Sequence, residues 1–221
     1  MIYKRMKGTI METIVQAKRV LEIFKEMSQI PRESGNEKGI SDYIVNFAKN
    51  LGLEAHQDEI LNVVIKKDAS PGYESRPSII IQGHIDMVCV KDHASNHDFS
   101  KDPIANIIEG EWMRADHTTL GADNGMGAAM MLAILEDESQ QHGPMQLLFT
   151  TNEETGMDGA FALKEGQVTG DYLINLDTEV EHDFTVSCAG GCHVHVKIPL
   201  LRDNNQPGYD AGLSITVTGL K

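Results

Sequence analysis

Residues 78–86 read SIIIQGHID, and this stretch indicates the type of fold. Its three consecutive isoleucines, residues 79–81, predict a β-strand that is buried on both faces, as strands are in a sheet covered by helices. His84 and Asp86 follow where the apolar run gives way to polar residues. The stretch therefore predicts an α/β fold in which a buried strand presents polar side chains at its carboxyl end.

Neighbouring segments extend this pattern in both directions. Apolar residues at helical spacing predict one helix that ends before Pro31, a second over 36–51 and a third over 127–135. Further strands are predicted at 61–66, 146–151 and 172–176. These elements predict an α/β domain with a mainly parallel sheet flanked by helices. The polar residues 91–117 form a stretch long enough for a functional flap.

Carboxylates stand at the ends of three other apolar runs. Asp123 lies in the turn GADNG. Glu153 and Glu154 follow one predicted strand, and Asp177 ends another. In open α/β sheets, ligands bind outside the carboxyl ends of the strands, so these side chains are expected to meet His84 in one crevice. Carboxylates brought this close repel one another unless cations neutralise them, so the set predicts a site for divalent metal ions.

Each motif by itself also has a simpler interpretation. An H-x-D pair is more often an ordinary satisfied histidine, Asp-Asn-Gly is a good turn sequence, and adjacent glutamates are commonly solvated. In a metal site, His84 and Asp86 would point to the same side of an extended segment, and Asp86 would hydrogen-bond the ring nitrogen that faces away from the metal. In extended backbone, Glu153 and Glu154 would diverge, so that one reaches a metal and the other a water.

Composition narrows the classes of function. The 221 residues, of which 41% are hydrophobic, can bury a substantial core. The 33 acidic residues against 19 basic ones give a net charge of −14, which disfavours nucleic acid or an acidic membrane surface as a partner. Three cysteines indicate neither a disulfide framework nor a thiolate zinc site. Because no apolar run is long enough to cross a bilayer, a cytoplasmic protein with reduced thiols is expected.

A family resemblance rests on five motifs in a fixed order: HIDMV at 84–88, GADNGMG at 121–127, TNEETGMDGA at 151–160, INLDTE at 174–179 and SCAGG at 187–191. With these motifs the chain resembles the co-catalytic zinc metallopeptidases of the M20 type. Among them it is most similar to the cytosolic nonspecific dipeptidases, also described as aminoacyl-histidine dipeptidases. The resemblance covers the chain from about residue 11 onward. It implies a zinc-peptidase-like catalytic domain, a dipeptide as substrate and, for the complete protein, a homodimer.

The resemblance also implies a role for each candidate residue. Four of them are implied metal ligands: His84 and Asp177 on one zinc ion, Glu154 on a second, and Asp123 bridging the two. Asp86 is implied to orient His84, and Glu153 to act as the general base. Manganese and cobalt remain open as the working ion in place of zinc. In this family the bond after the bridging aspartate is commonly cis, so a cis peptide is expected between Asp123 and Asn124.

Two domains are expected from the resemblance and from a change in the sequence pattern after residue 181. Residues 1–183 are expected to form the amino-terminal part of the catalytic domain. Residues 184–221 are expected to begin a truncated α+β lid or dimerisation domain. Strands in this second part are predicted at 184–188, 192–198 and 213–217.

The family pattern requires one ligand that this sequence does not match. The resembling enzymes supply a further histidine on the second zinc, near the end of a chain roughly twice this long. His182, His193 and His195 do not match its position. The chain is therefore expected to be an amino-terminal fragment that binds zinc weakly and has no appreciable dipeptidase activity. Two alternatives stay open: an inert metal-binding or interaction protein, and a related aminoacylase or aminopeptidase.

Overall fold

The structure is a computed structural model that describes residues 7–178, 180, 183–187, 197 and 199, with side chains from residue 17 onward. The chain divides into two compact units, Met1–Glu181 and His182–Lys221. All helices and strands described below belong to the first unit.

The strand predictions for the second unit have few described residues to compare with. Residues 183–187 carry no strand, so the prediction of a strand over 184–188 is wrong for its described part. Alternation of apolar and polar residues predicts a buried face, but a strand also needs a hydrogen-bonding partner. The remaining features predicted for this part lie outside the described residues apart from residue 197. They are the strands at 192–198 and 213–217, SCAGG beyond Ser187, and His182, His193 and His195.

Helices in the described part of the chain are α1 (Lys7–Met27), α2 (Lys38–Asn50), α3 (Ala122–Glu136), α4 (Glu153–Gly156) and α5 (Asp158–Phe161). The three long helices correspond to the three that the spacing of apolar residues predicts. In α2, Ile40, Ile44 and Ala48 recur four residues apart and are all fully buried. Gly52, just beyond α2, has a φ of 74°, a conformation that glycine adopts without steric cost. None of the described helices combines the length and the apolar character that crossing a bilayer requires.

Strands in the described part are β1 (Ala55–Gln57), β2 (Val63–Lys67), β3 (Ile79–His84), β4 (Asn106–Glu109), β5 (Trp112–Ala115), β6 (Met145–Thr150) and β7 (Tyr172–Asn175). Five of them form one sheet in the order β1-β2-β6-β3-β7. β3 lies between β6 and β7 and is parallel to both. β2 is antiparallel to its neighbours β1 and β6, so every strand of this sheet except β2 runs in the same direction. The mainly parallel sheet of the prediction is thereby confirmed.

The hydrophobic core covers both faces of the sheet. On one face, apolar residues of α1, α2 and α3 pack against β2 and β6, with Phe24 and Phe149 among the largest fully buried side chains. On the other face, Ile80 packs with Val64 and Leu148 beneath residues 163–168. The isoleucine run of β3 is therefore buried from both sides, as its sequence predicts.

The polar stretch 91–117 contains the hairpin formed by β4 and β5. The hairpin and β1 were not predicted, because each of their strands is only three or four residues long and lacks a clear apolar alternation. Ile104 and Ala115 of this stretch pack against Met87, which follows β3, and form a small hydrophobic cluster. A function as a flap stays a prediction.

Candidate metal centre

The candidate site forms where the three parallel strands β6, β3 and β7 end. The register of these strands aligns His84, the last residue of β3, with Thr150, the last residue of β6. Gln82 is aligned with Asn175 at the end of β7. The segments that carry Glu153 and Asp177 therefore leave the sheet at the same edge as His84. This is the crevice that the sequence pattern predicts.

His84 is the centre of this crevice. Its side chain is 1% exposed, and its Nε2 atom faces three carboxylates. The distances from Nε2 are 3.2 Å to Asp123 Oδ1, 3.8 Å to Asp177 Oδ2 and 3.9 Å to Glu153 Oε2. Glu154 also lies in the crevice, because one of its carboxylate oxygens is within 4.8 Å of ligand atoms of both His84 and Asp123. The three other predicted ligands and the predicted base are thus brought together around the imidazole.

Asp86 is fully buried and connects the His84 ring to the segment that carries Glu153 and Glu154. Its Oδ1 lies 3.2 Å from Nδ1 of His84, on the ring side away from the other carboxylates. The Ser34 hydroxyl donates to Oδ2 at 2.7 Å. The backbone N–H groups of Glu153 and Glu154 donate to Oδ1 and Oδ2, at 3.1 and 3.3 Å. One carboxylate therefore fixes both the imidazole ring and the backbone of the glutamate pair.

The backbone at the glutamate pair differs from the predicted extended conformation. Glu153 and Glu154 form the first turn of the short helix α4, which follows Asn152 in a left-handed conformation with a φ of 51°. The physical reason is Asp86, whose carboxylate accepts both N–H groups and so favours a helical first turn at this point. Adjacent side chains of a helix also point in different directions, and the carboxylates of both glutamates lie in the crevice.

The turn that carries Asp123 has one feature that the family resemblance implies and one that the sequence does not show. The peptide bond between Asp123 and Asn124 is cis, as the family resemblance implies. Gly121 and Gly125 leave room for the guanidinium of Arg32, because a Cβ atom at either glycine would lie within about 2.5 Å of Nη2. That the small residues of GADNG let the backbone approach a ligand stays a prediction.

Electrostatics in the crevice follow from crowding of acidic groups. Burial by itself lowers the pKa of His84, but the hydrogen bond to Asp86 and the nearby charges outweigh it and raise the pKa to about 9. Burial, followed by the charge of Asp177, raises the pKa of Asp123. Burial and neighbouring carboxylates also raise the pKa values of Glu153 and Glu154. These carboxyl groups therefore hold their protons more tightly than free ones, because they are partly buried and lie close to one another.

The donor set fits divalent metal ions. Two groups of side chains have ligand atoms within 4.8 Å of one another: His84 with Asp123 and Glu154, and His84 with Glu153 and Asp177. One imidazole nitrogen with several carboxylate oxygens suits zinc, manganese and related ions. The oriented histidine strengthens the fit, because the second nitrogen of a metal-bound histidine usually contacts a carboxylate or carbonyl.

Replacing Asp86 with asparagine is expected to lower the affinity of the site for Zn²⁺ about 10- to 100-fold. The amide no longer carries the charge that fixes the tautomer and basicity of His84. Competition with a chromophoric chelator measures the affinity. The matched control is Asp92→Asn, which alters an exposed His-Asp pair with His117 at 2.6 Å and should leave zinc affinity unchanged. Equal affinities of all three proteins would contradict the orienting role of Asp86.

Arg32 and Ser34 were missed in the sequence. Both lie in the segment between α1 and α2, where Ser34 reaches Asp86 and Arg32 reaches the backbone of two site segments. The segment PRESGN, residues 31–36, contains turn-forming residues, and its pattern indicates only a loop between two helices. Nothing in its pattern shows that the arginine is buried, since arginine is exposed in most proteins.

A buried histidine that is oriented by one carboxylate and faced by several others, at the carboxyl edge of an α/β sheet, can hold divalent metal ions, and hydrolases use metal sites of this type. Residues 80–213 match the sequence profile of peptidase family M20/M25/M40. The chain belongs to this family, which confirms the resemblance carried by its motifs.

Individual relatives agree with this assignment. The chain is 42% identical over 200 residues to the cytosol non-specific dipeptidase of Escherichia coli, covering 90% of this chain and 41% of the relative. It is similar to the crystal structure of an aminoacylhistidine dipeptidase from Vibrio alginolyticus, with 44% identity and a TM-score of 0.72 over 74% of this chain and 33% of that one. A Staphylococcus aureus tripeptidase matches with 26% identity and a TM-score of 0.62, covering 74% of this chain and 44% of that one. The chain thus spans less than half the length of these relatives.

Proposed function

We propose that this chain carries the metal site of an enzyme that hydrolyses the peptide bond of dipeptides. The observation that carries the proposal is the convergence of Asp123, Glu153 and Asp177 on Nε2 of the buried His84. Two relatives with more than 40% identity are named dipeptidases, which supports dipeptides as the substrate class. The Escherichia coli relative is named a cytosol enzyme, and we assign this protein to the same compartment.

The proposed metal ions are two zinc ions, with manganese or cobalt as alternatives. His84 and Asp177 would bind one ion, Glu154 the other, and Asp123 both. Asp123 suits a bridging role for two reasons. A carboxylate oxygen of Asp123 lies within 4.8 Å of ligand atoms of His84 and Glu154, and its carboxyl group also contacts Asp177. When bound, such ions supply Lewis acidity that polarises a carbonyl group and makes a water molecule more acidic.

Glu153 is the proposed general base. Its side chain is 34% exposed, so solvent and substrate can reach it from the crevice. Burial raises the pKa of Glu153, and a carboxylate that a water in the crevice can reach is able to accept its proton. Glu153 would take a proton from the attacking water and return it to the leaving amine. Asp86 holds the Glu153 backbone in place through its N–H group.

The proposal is tested with the product of the complete reading frame that contains this sequence. Purified protein is incubated with Xaa-His dipeptides and other dipeptides, with tripeptides and with N-acyl amino acids, and the released amino acids are quantified by mass spectrometry. Dipeptide hydrolysis that a chelator abolishes and zinc, manganese or cobalt restores is the expected result. Preference for tripeptides would favour the activity named for the Staphylococcus aureus relative.

The same assay covers the remaining alternatives. Preference for N-acyl amino acids would indicate an aminoacylase. Bound metal without hydrolysis of any substrate would favour an inert metal-binding protein. Hydrolysis that is insensitive to chelation would contradict the metal-dependent mechanism.

A further inference from the structure

Arg32 connects two remote segments of the chain through main-chain hydrogen bonds. Its side chain is buried, with 2% exposure. Nη1 donates to the carbonyl oxygens of Ile85 and Asp86, at 3.2 and 3.1 Å, and Nη2 donates to the carbonyl oxygen of Gly121. The carbonyl oxygen of Arg32 accepts the N–H of Met87 at 3.1 Å. The residue is thus fixed to the chain after β3 by both its main chain and its side chain.

Both connected segments carry a proposed metal ligand. Ile85 directly follows His84, and Gly121 precedes Asp123 by two residues. These two ligands lie 39 positions apart in sequence, yet Nε2 of His84 and Oδ1 of Asp123 are separated by 3.2 Å. The planar guanidinium has several N–H groups in a rigid fork, so it can fix the relative position of two backbone segments. Lysine has one flexible ammonium group and cannot reproduce this geometry.

The Asp123 turn is shaped to fit the guanidinium. A Cβ atom on Gly121 would lie 2.4 Å from Nη2 of Arg32 and 2.6 Å from the sulfur of Met87. A Cβ atom on Gly125 would lie 2.5 Å from Nη2 and 2.9 Å from a ring carbon of Phe24. A side chain at either position would force the turn or the guanidinium of Arg32 to shift. The two glycines that flank Asp123 therefore permit close contact with Arg32, and also with Met87 and Phe24.

The buried charge of Arg32 is costly, so its position needs an explanation. Within the described part of the chain, its side-chain hydrogen bonds go to main-chain carbonyls, and its Nε atom is buried without a partner. Burial lowers the pKa of Arg32 to about 10, against the opposing attraction of Asp86 and Asp123, so the group stays cationic at neutral pH. An apolar side chain of similar volume would avoid this cost but could not join the two segments.

We propose that Arg32 is a positioning residue that sets the separation of His84 and Asp123, and thereby the geometry in which the site binds its metal ions. The inference rests on the proposed metal site. It adds a residue that acts through its hydrogen bonds to the backbone of the two ligand segments.

The test compares Arg32→Lys with Arg19→Lys. Arg19 is a matched control, because its guanidinium ties α1 to Glu136, at the end of α3 opposite to Asp123. Zn²⁺ affinity is measured by chelator competition, the absorption spectrum of bound Co²⁺ reports coordination geometry, and thermal unfolding reports stability. Arg32→Lys is expected to lose about 10- to 100-fold in zinc affinity and to change the cobalt spectrum. Arg19→Lys is expected to lower the unfolding temperature and to keep both metal properties.

The other outcomes decide against the inference. Unchanged zinc affinity and an unchanged cobalt spectrum in Arg32→Lys would overturn it, as would equal losses in both variants. If Arg32→Lys does not fold, Gly125→Ala replaces it, because the added Cβ displaces the guanidinium and leaves the charge present. Wild-type metal properties in Gly125→Ala would overturn the positioning role. Absence of metal binding in the unaltered protein would contradict the proposed function itself, which separates the two failures.

Discussion

Replacing Glu153 with alanine is expected to lower kcat for dipeptide hydrolysis by about 10²- to 10⁴-fold while the bound metal remains. The variant lacks the group that accepts the proton of the attacking water, but it keeps His84, Asp123 and Asp177. Turnover is measured on the product of the complete reading frame, and metal content by elemental analysis of the same sample. Glu165→Ala is the control, since Glu165 is an exposed glutamate outside the crevice.

Loss of metal in the Glu153 variant would contradict this assignment and exchange the roles of the two glutamates. Glu153 lies 3.9 Å from His84 Nε2 and belongs to one of the two possible ligand groups, so the outcome is informative. The companion variant Glu154→Ala should show the opposite pattern, with metal lost from the site. Metal retained in both variants would indicate that neither glutamate is a required ligand.

Replacing Asp123 with alanine is expected to remove at least one metal ion and, with it, nearly all hydrolysis. Asp123 is the carboxylate nearest to His84 Nε2 and also contacts Asp177. Its loss therefore removes the ligand that would connect the two ions. Elemental analysis after dialysis against a metal-free buffer gives the number of ions per chain. Asp116→Ala, which alters an exposed aspartate, serves as control. Full metal occupancy in Asp123→Ala would exclude a bridging role.

The positions of the site residues were predictable because they follow from elementary sheet geometry. The isoleucine run 79–81 identifies a strand buried on both faces, and parallel strands bring their carboxyl ends to one edge. His84, Glu153 and Asp177 each follow an apolar run that predicts a strand, so their convergence could be inferred before any coordinates. The contact of Asp86 with His84 follows equally from their spacing in extended backbone.

Features that depend on long-range contacts were not predictable. The helical turn at Glu153 forms because the carboxylate of Asp86, 67 positions earlier, accepts its N–H group. The glycines of GADNG approach Arg32 closely, and no local pattern connects this arginine to that turn. Such contacts depend on the packing of α1 and α3 against the sheet, and the sequence around each residue contains no information about it.

The central claim is that His84 and the surrounding carboxylates bind divalent metal ions. Its most direct test is a crystal structure of the zinc-loaded protein with anomalous diffraction data collected at the zinc absorption edge. Anomalous peaks about 2.0–2.2 Å from Nε2 of His84 and from a carboxylate oxygen of Asp123 are the predicted result. Zinc peaks only at other positions, with the crevice empty at saturating zinc, would contradict the account.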